Sequence, residues 1–209
     1  MKLVIARPSP FARKARVALI EKGIDCELVV ENPWLPDSAV PGVNPLGKVP
    51  ALILDDGRVV HDSKVIIEYL ETLGRPPRLI PEAPALRLAH KQVEAVADGV
   101  CDAAVLIVME RSRPAVMQSG GWIERQRRKV MTGTAELARL LGGEEWFTEA
   151  GFGLAEIATG CALGYLDLRF SEFDWRRAAP NLERLAVRLW ARPSFAGTQP
   201  EAQPIPIMR

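Results

Sequence analysis

The chain has 209 residues, 48% of them hydrophobic and 25% charged, with a formal net charge of +1. That length buries a real core as one large domain or two small ones. The near-neutral balance gives no bulk electrostatic case for a nucleic-acid or membrane partner, and the longest apolar stretches, such as residues 49–54, are far too short to span a bilayer.

The N-terminal apolar run is too short for a signal-peptide core. Residues 2–6 (KLVIA) read as a buried strand that ends at Arg7-Pro8-Ser9-Pro10. Next comes a helix with Phe11, Ala15, Ala18 and Leu19 at helical spacing, Pro10 in its first turn and Gly23 as its stop. Residues 26–31 (CELVVE) are a second strand, so the unit implies a parallel pair with a right-handed crossover. A stretch rich in Pro and Gly follows from Pro33 to Pro50. VPALIL is a third strand, Asp55-Asp56-Gly57 a hairpin turn and RVVHD an antiparallel fourth strand. SKVIIEYLETLG is a helix with Ser63 as cap and Gly74 as stop.

The composition then changes. Residues 76–84 read as a Pro-rich linker. From 85 to 209 the period is helical: one long helix with a loose spot at Gly99, another ended by Gly142-Gly143, a buried helix from Leu154, and a short last helix before an irregular Pro-rich tail. The expected architecture is a small α/β domain over 1–75 followed by an all-α domain. Cys26, Cys101 and Cys161 share no metal-like or redox-like spacing and read as buried thiols of a reduced, cytoplasmic compartment. His61 and His90 lack ligand companions, so no metal is assigned. Trp122, Trp146, Trp175 and Trp190 read as packing residues, and the basic segment Arg125–Lys129 as a solvated face.

Three stretches of the first domain carry chemistry: Ser9-Pro10-Phe11 with Ala12-Arg13-Lys14, then Asn44-Pro45-Leu46-Gly47-Lys48-Val49-Pro50, then His61-Asp62-Ser63. Ser9 sits where a strand meets a helix. The free N–H groups of the first turn, with the positive end of the helix dipole behind them, stabilise a thiolate placed there. A plain cap is the other reading of Ser9. Together these stretches resemble glutathione transferases, whose N-terminal domain is thioredoxin-like and whose second domain is helical. The likeness is greatest to bacterial members with an S-P-F entry motif, related in pattern to the omega and zeta classes, and it covers the whole chain in layout.

The resemblance implies a glutathione-dependent transferase in which Ser9 stabilises the glutathione thiolate for attack on a small electrophile. It implies a cis Val49-Pro50 bond, with the Val49 backbone pairing with the cysteine part of glutathione. Asp62 and Ser63 would take the γ-glutamyl end, Lys48 the glycine carboxylate, and Phe11 would lie beside both ligands. Trp34 and Met109 would line the electrophile pocket with Phe11. In a homodimer, Asp102 of the stretch Asp98-Gly99-Val100-Cys101-Asp102 would reach the neighbour's ligand. Two departures stand out. Gly153 replaces the usual Ser or Thr cap of the buried helix, with Glu156 still able to reach back. Serine at position 9 forms no mixed disulfide, which argues against thiol-transferase work of the omega kind. A binding or regulatory protein without turnover, or a glutathione-dependent reductase or isomerase, would share the same fold.

Overall fold

The computed structural model describes residues 1–207. Its first part runs β1 (Lys2–Ile5), α1 (Pro10–Glu21), β2 (Glu27–Val30), β3 (Ala51–Ile53), β4 (Val59–Val60) and α2 (Ser63–Thr72). The strands form one sheet in the order β2-β1-β3-β4. β1 pairs parallel with β2, from Lys2↔Glu27 to Ile5↔Val30, as the crossover through α1 requires. β3 is antiparallel to both β1 and β4. This is the thioredoxin-like α/β arrangement that the sequence implied. The strands are shorter than their apolar runs. Pro50 has no N–H to donate, and Leu54 already belongs to the turn, where its N–H donates to Arg58 O at 2.8 Å.

The helical part comprises α3 (Pro84–Arg111), α4 (Gly120–Leu141), α5 (Leu154–Arg169), α6 (Trp175–Ala178), α7 (Pro180–Trp190) and α8 (Pro193–Ala196). It starts at Pro84, which suits a first helical position. α3 passes Gly99 unbroken, so the expected loose spot is absent; packing against α4 and α5 holds the helix there. α6 and α8 are too short to show a period and were not legible. The tail has no helix or strand as far as Ile207, and Met208 and Arg209 lie outside the described residues.

One core unites the two parts. It runs from Leu3 and Ile5 of β1 through Ala15 of α1 to Ile157 of α5 and Leu185 of α7. α5 is buried on every side from Leu154 to Leu166, as its all-round apolar sequence demands. The Pro-rich segment between the parts is fastened. Leu79 and Ile80 are fully buried, and Lys22 Nζ donates to the Arg75 and Pro77 carbonyls at 2.7 and 2.9 Å. Two other expectations need correction. Trp122 is 41% exposed at the start of α4, and Cys26 is only half-buried at the edge of β2.

α1 is the most constrained helix. Beyond its apolar face it also buries Arg13 and Lys14, because it is packed against α2 on one side and α5 on the other. Lys14 Nζ donates to Glu94 Oε1 at 2.8 Å and to both Asp98 oxygens at 2.9 and 2.8 Å. The like-charged pair Asp98 and Asp102 on α3 is therefore relieved by a buried cation, with Lys64 a further 3.3 Å from Asp98.

Glycine at the cap of α5 has a steric cause. A Cβ on Gly153 would lie 2.6 Å from the Leu79 carbonyl oxygen and 2.9 Å from the His90 ring. The cap is completed by Glu156, whose carboxylate accepts from Gly153 N–H at 2.8 Å and Phe147 N–H at 2.9 Å. Burial pushes Glu156 up to about 7 against the downward pull of those N–H groups. Between its ordinary value of 4.5 and about 7, the folded chain holds a proton that the unfolded chain has released. Stability from this group is thus fully present below 4.5 and is lost as pH rises through 7. Urea unfolding at a series of pH values should show this fall in the parent and a flatter profile in Glu156→Gln.

Candidate active site

Two adjoining cavities form one cleft between the sheet and the helices. The larger, about 630 Å³, is lined by Ser9, Phe11, Trp34, Lys48, Val49, Asp102 and Met109, among others. The smaller, about 210 Å³, is lined by Phe11, Lys48, Val49, Pro50, Asp62, Ser63 and Asp102, with Asn44, Lys64 and Asp98 beside them. Every residue singled out from the sequence as a site residue lines one or both cavities. Phe11, Lys48, Val49 and Asp102 belong to both and make the join.

Ser9 ends the β1–α1 connection in extended backbone (φ −66°, ψ 118°) and caps α1. Its Oγ accepts from Ala12 N–H at 3.1 Å. No protein acceptor takes the Ser9 hydroxyl proton among the described residues, so it remains free to donate into the cavity. Cap and donor are compatible roles of one hydroxyl.

The loop before β3 is built to present Val49. Gly47 supplies a left-handed turn at φ +62°. The buried Asn44 side chain spans the loop, donating to Lys48 O at 2.8 Å and accepting from Leu46 N–H at 3.1 Å. Val49-Pro50 is cis, as the resemblance implied. Val49 N–H has no partner among the described residues, and Val49 lines the cleft in the loop just before β3.

α2 starts at Ser63, so the assignment of Ser63 as its cap is corrected by one residue. Asp62 is the cap, and its Oδ1 accepts from Lys64 N–H at 2.8 Å. Ser63 is the first helical residue. It is 2% exposed, and neither its hydroxyl nor its N–H has a protein partner among the described residues. Asp62 keeps Oδ2 for a second donor.

Arg13 and Arg16, about one and two helical turns after Ser9, turn away from the cleft. Arg13 Nη2 donates to Phe195 O at 3.2 Å, and Arg16 Nη2 to Gly197 O at 3.3 Å. One helical turn places these side chains against α8, on the far side of α1. Asp102 lines the cleft of its own chain. Several contributors were not foreseen, among them three from α5 and the tail. Tyr165 and Arg169 of α5 line the larger cavity, as does Ile205 of the tail. The tail is held there by Arg7 N–H donating to Gln203 Oε1 at 2.8 Å and Asn32 Nδ2 donating to Pro204 O at 2.9 Å.

Cys101 and Cys161 are buried in the helical part, away from the cleft lining. Burial raises Cys161 to about 11 and holds Cys101 well above its ordinary value. Among the described residues, no cluster of His, Cys, Asp and Glu could hold a metal ion, and no helix is long and apolar enough to cross a membrane.

A free donor at a helix N-terminus, an unpaired backbone N–H at a cis-proline loop turn and a second helix N-terminus thus converge on one cleft of a thioredoxin-like fold. This is the glutathione S-transferase arrangement, and family comparison agrees. Residues 8–73 match the glutathione S-transferase N-terminal domain and residues 120–185 the C-terminal domain. The GST-like protein YibF of Escherichia coli is 40% identical over 96% of this chain and 98% of its own. Maleylacetoacetate isomerase of Pseudomonas aeruginosa is 31% identical over 98% of each. A glutathione S-transferase crystal structure from Methylobacterium radiotolerans, in complex with glutathione sulfonate, is 48% identical over 98% of this chain and 96% of that one, with a TM-score of 0.95. The chain belongs to the glutathione S-transferase family.

Proposed function

We propose that the cleft binds glutathione and stabilises its thiolate for attack on a small electrophile held in the larger cavity. The observation that carries this reading is the set of unpartnered groups at Ser9, Val49 and Ser63, all facing one cleft. Each suits one part of the tripeptide. Ser63 and Asp62 at the start of α2 suit the γ-glutamyl carboxylate and ammonium. The Val49 backbone suits the cysteine residue as a short added strand. Lys48 suits the glycine carboxylate, and pairs with no acid among the described residues. That pose brings the sulfur to Ser9 at the N-terminus of α1. The glutathione sulfonate complex of the related bacterial enzyme supports the same ligand class.

In this reading Ser9 donates its hydroxyl proton to the thiolate, and the dipole of α1 adds to the stabilisation. Phe11, Trp34 and Met109 give the electrophile an apolar wall, and the cleft holds both reactants together. Residues 1–75 supply the glutathione end, while residues 85–209 supply the electrophile end and, through α3, a homodimer interface across which Asp102 reaches the partner's ligand. The setting is cytoplasmic.

Calorimetric titration with glutathione tests the pose. Ser63→Ala should weaken binding by about 1–2 kcal/mol, the scale of a lost hydrogen bond to a charged group. Unchanged affinity in that variant would exclude the assigned orientation.

A further inference from the structure

The wall of the larger cavity formed by α5 carries two polar groups that the reading above leaves idle, Tyr165 and Arg169. They are four residues apart, so one face of α5 projects both into the cavity. Arg169 Nε is buried without a hydrogen-bond partner. Apart from its contact with the Tyr165 hydroxyl, the Arg169 guanidinium has no side-chain partner among the described residues, and no carboxylate among them lies within 4.0 Å. Arginines nearby are different. Arg176 pairs with Asp167 at 2.7 Å, Arg111 with Glu172 at 3.0 Å and Arg192 with Glu21 at 2.8 Å. The acids close to Arg169 in sequence are thus already engaged.

Tyr165 is 4% exposed, and its hydroxyl oxygen faces the Arg169 guanidinium as a hydrogen-bond acceptor, while no protein acceptor takes its own proton among the described residues. Burial raises its phenol to about 12, with Arg169 pulling the other way, so it stays a neutral donor. The rest of this cavity is lined mainly by apolar residues, among them Phe11, Trp34, Val105 and Met109, with Lys48 and Asp102 where it joins the smaller cavity. Arg169 also lies in the last turn of α5, where a cation suits the helix dipole. That accounts for a basic residue at this position, but not for a buried N–H left unpaired beside a cavity.

We infer that Tyr165 and Arg169 receive a carboxylate of the second substrate, which is therefore an acidic electrophile with an apolar body. The inference rests on glutathione occupying the adjoining cavity as proposed above. The carboxylate supplies an acceptor for the Tyr165 hydroxyl proton and a counter-charge for Arg169, which has no carboxylate of its own among the described residues. The apolar body fills the space between them and the sulfur. The reacting carbon then lies at the Ser9 end.

Calorimetry with three ligands tests this without relying on turnover: glutathione, S-benzylglutathione and S-(4-carboxybenzyl)glutathione. In the parent protein the carboxybenzyl conjugate should bind about tenfold or more tighter than the benzyl conjugate, the scale of one charge-assisted pair. In Arg169→Gln that ratio should fall to near one. Arg169→Lys should restore part of it, and Tyr165→Phe should reduce it partway. A ratio near one in the parent, with glutathione itself bound, would overturn this inference alone. The same would follow from a ratio that survives in Arg169→Gln. Absence of glutathione binding in the parent would overturn the site reading as well.

Discussion

Lys14→Ala should destabilise the fold by about 3–5 kcal/mol, because one partner of a buried ion cluster is removed and the others stay behind. The Lys14 side chain is 1% exposed and lies between the Glu94 and Asp98 carboxylates. Burial pulls its ammonium down, but Asp98 and Glu94 outweigh that and hold it above its ordinary value. Without Lys14, Glu94 keeps Lys91 at 3.2 Å, and Asp98 keeps Lys64 at 3.3 Å. Lys64 is half-exposed, so it compensates poorly for a desolvated charge. The cluster ties α1 to α3 beneath the smaller cavity, so glutathione affinity should fall with stability. Urea unfolding checks the first effect. A loss below about 1 kcal/mol would mean that water already screens the cluster. Replacing Lys14, Glu94 and Asp98 together by apolar residues of similar size should recover much of the stability, since no charge is then left uncompensated.

Ser9→Ala should leave glutathione affinity nearly intact and lower turnover at neutral pH by about 10–100-fold, the scale of a charge-assisted hydrogen bond lost from the thiolate. Most of the binding energy would come from Val49 and from the start of α2, which the substitution does not touch. The variant also loses the cap on Ala12 N–H, worth about 1 kcal/mol of stability. Thermal unfolding measures that loss separately and keeps it from being read as catalysis. Ser9→Cys should behave differently. A thiol at a helix N-terminus is activated, so that variant should gain disulfide exchange with glutathione mixed disulfides. Equal turnover in the parent and Ser9→Ala would reduce Ser9 to a helix cap.

The parts of this molecule that obey local rules were readable from the chain. The β-branched runs gave β1, β2 and β3, and Gly23, Gly57 and Gly74 all adopt the positive φ that ends a helix or makes a turn. The cleft residues were readable for a related reason. Ser9, Gly47, Val49-Pro50 and Asp62-Ser63 sit at element ends, where backbone geometry constrains residue type and the resemblance singles the positions out. What stayed hidden depends on tertiary packing. Lys14 looks like one more surface lysine until α3 supplies two carboxylates from far along the chain. Arg13 looks like a neighbour of Ser9 until the helical turn carries it to Phe195. Tyr165 and Arg169 lie on a helix apolar almost all round, so their shared face had no contrast to mark it. Ile205 follows a Pro-rich stretch without periodicity and reaches the cavity only because Gln203 and Pro204 are held by Arg7 and Asn32.

In the proposed reading, this cleft lowers the pKa of glutathione bound in it. The direct measurement is the ultraviolet absorbance of the thiolate in the glutathione complex, followed against pH. A free cysteine thiol titrates near pH 8.5. In the parent the midpoint should be displaced downward by about one to two pH units, the scale of one charge-assisted donor plus a helix N-terminus. In Ser9→Ala the midpoint should return most of the way, leaving a residual shift from α1. A bound thiol that titrates like free glutathione would contradict the account.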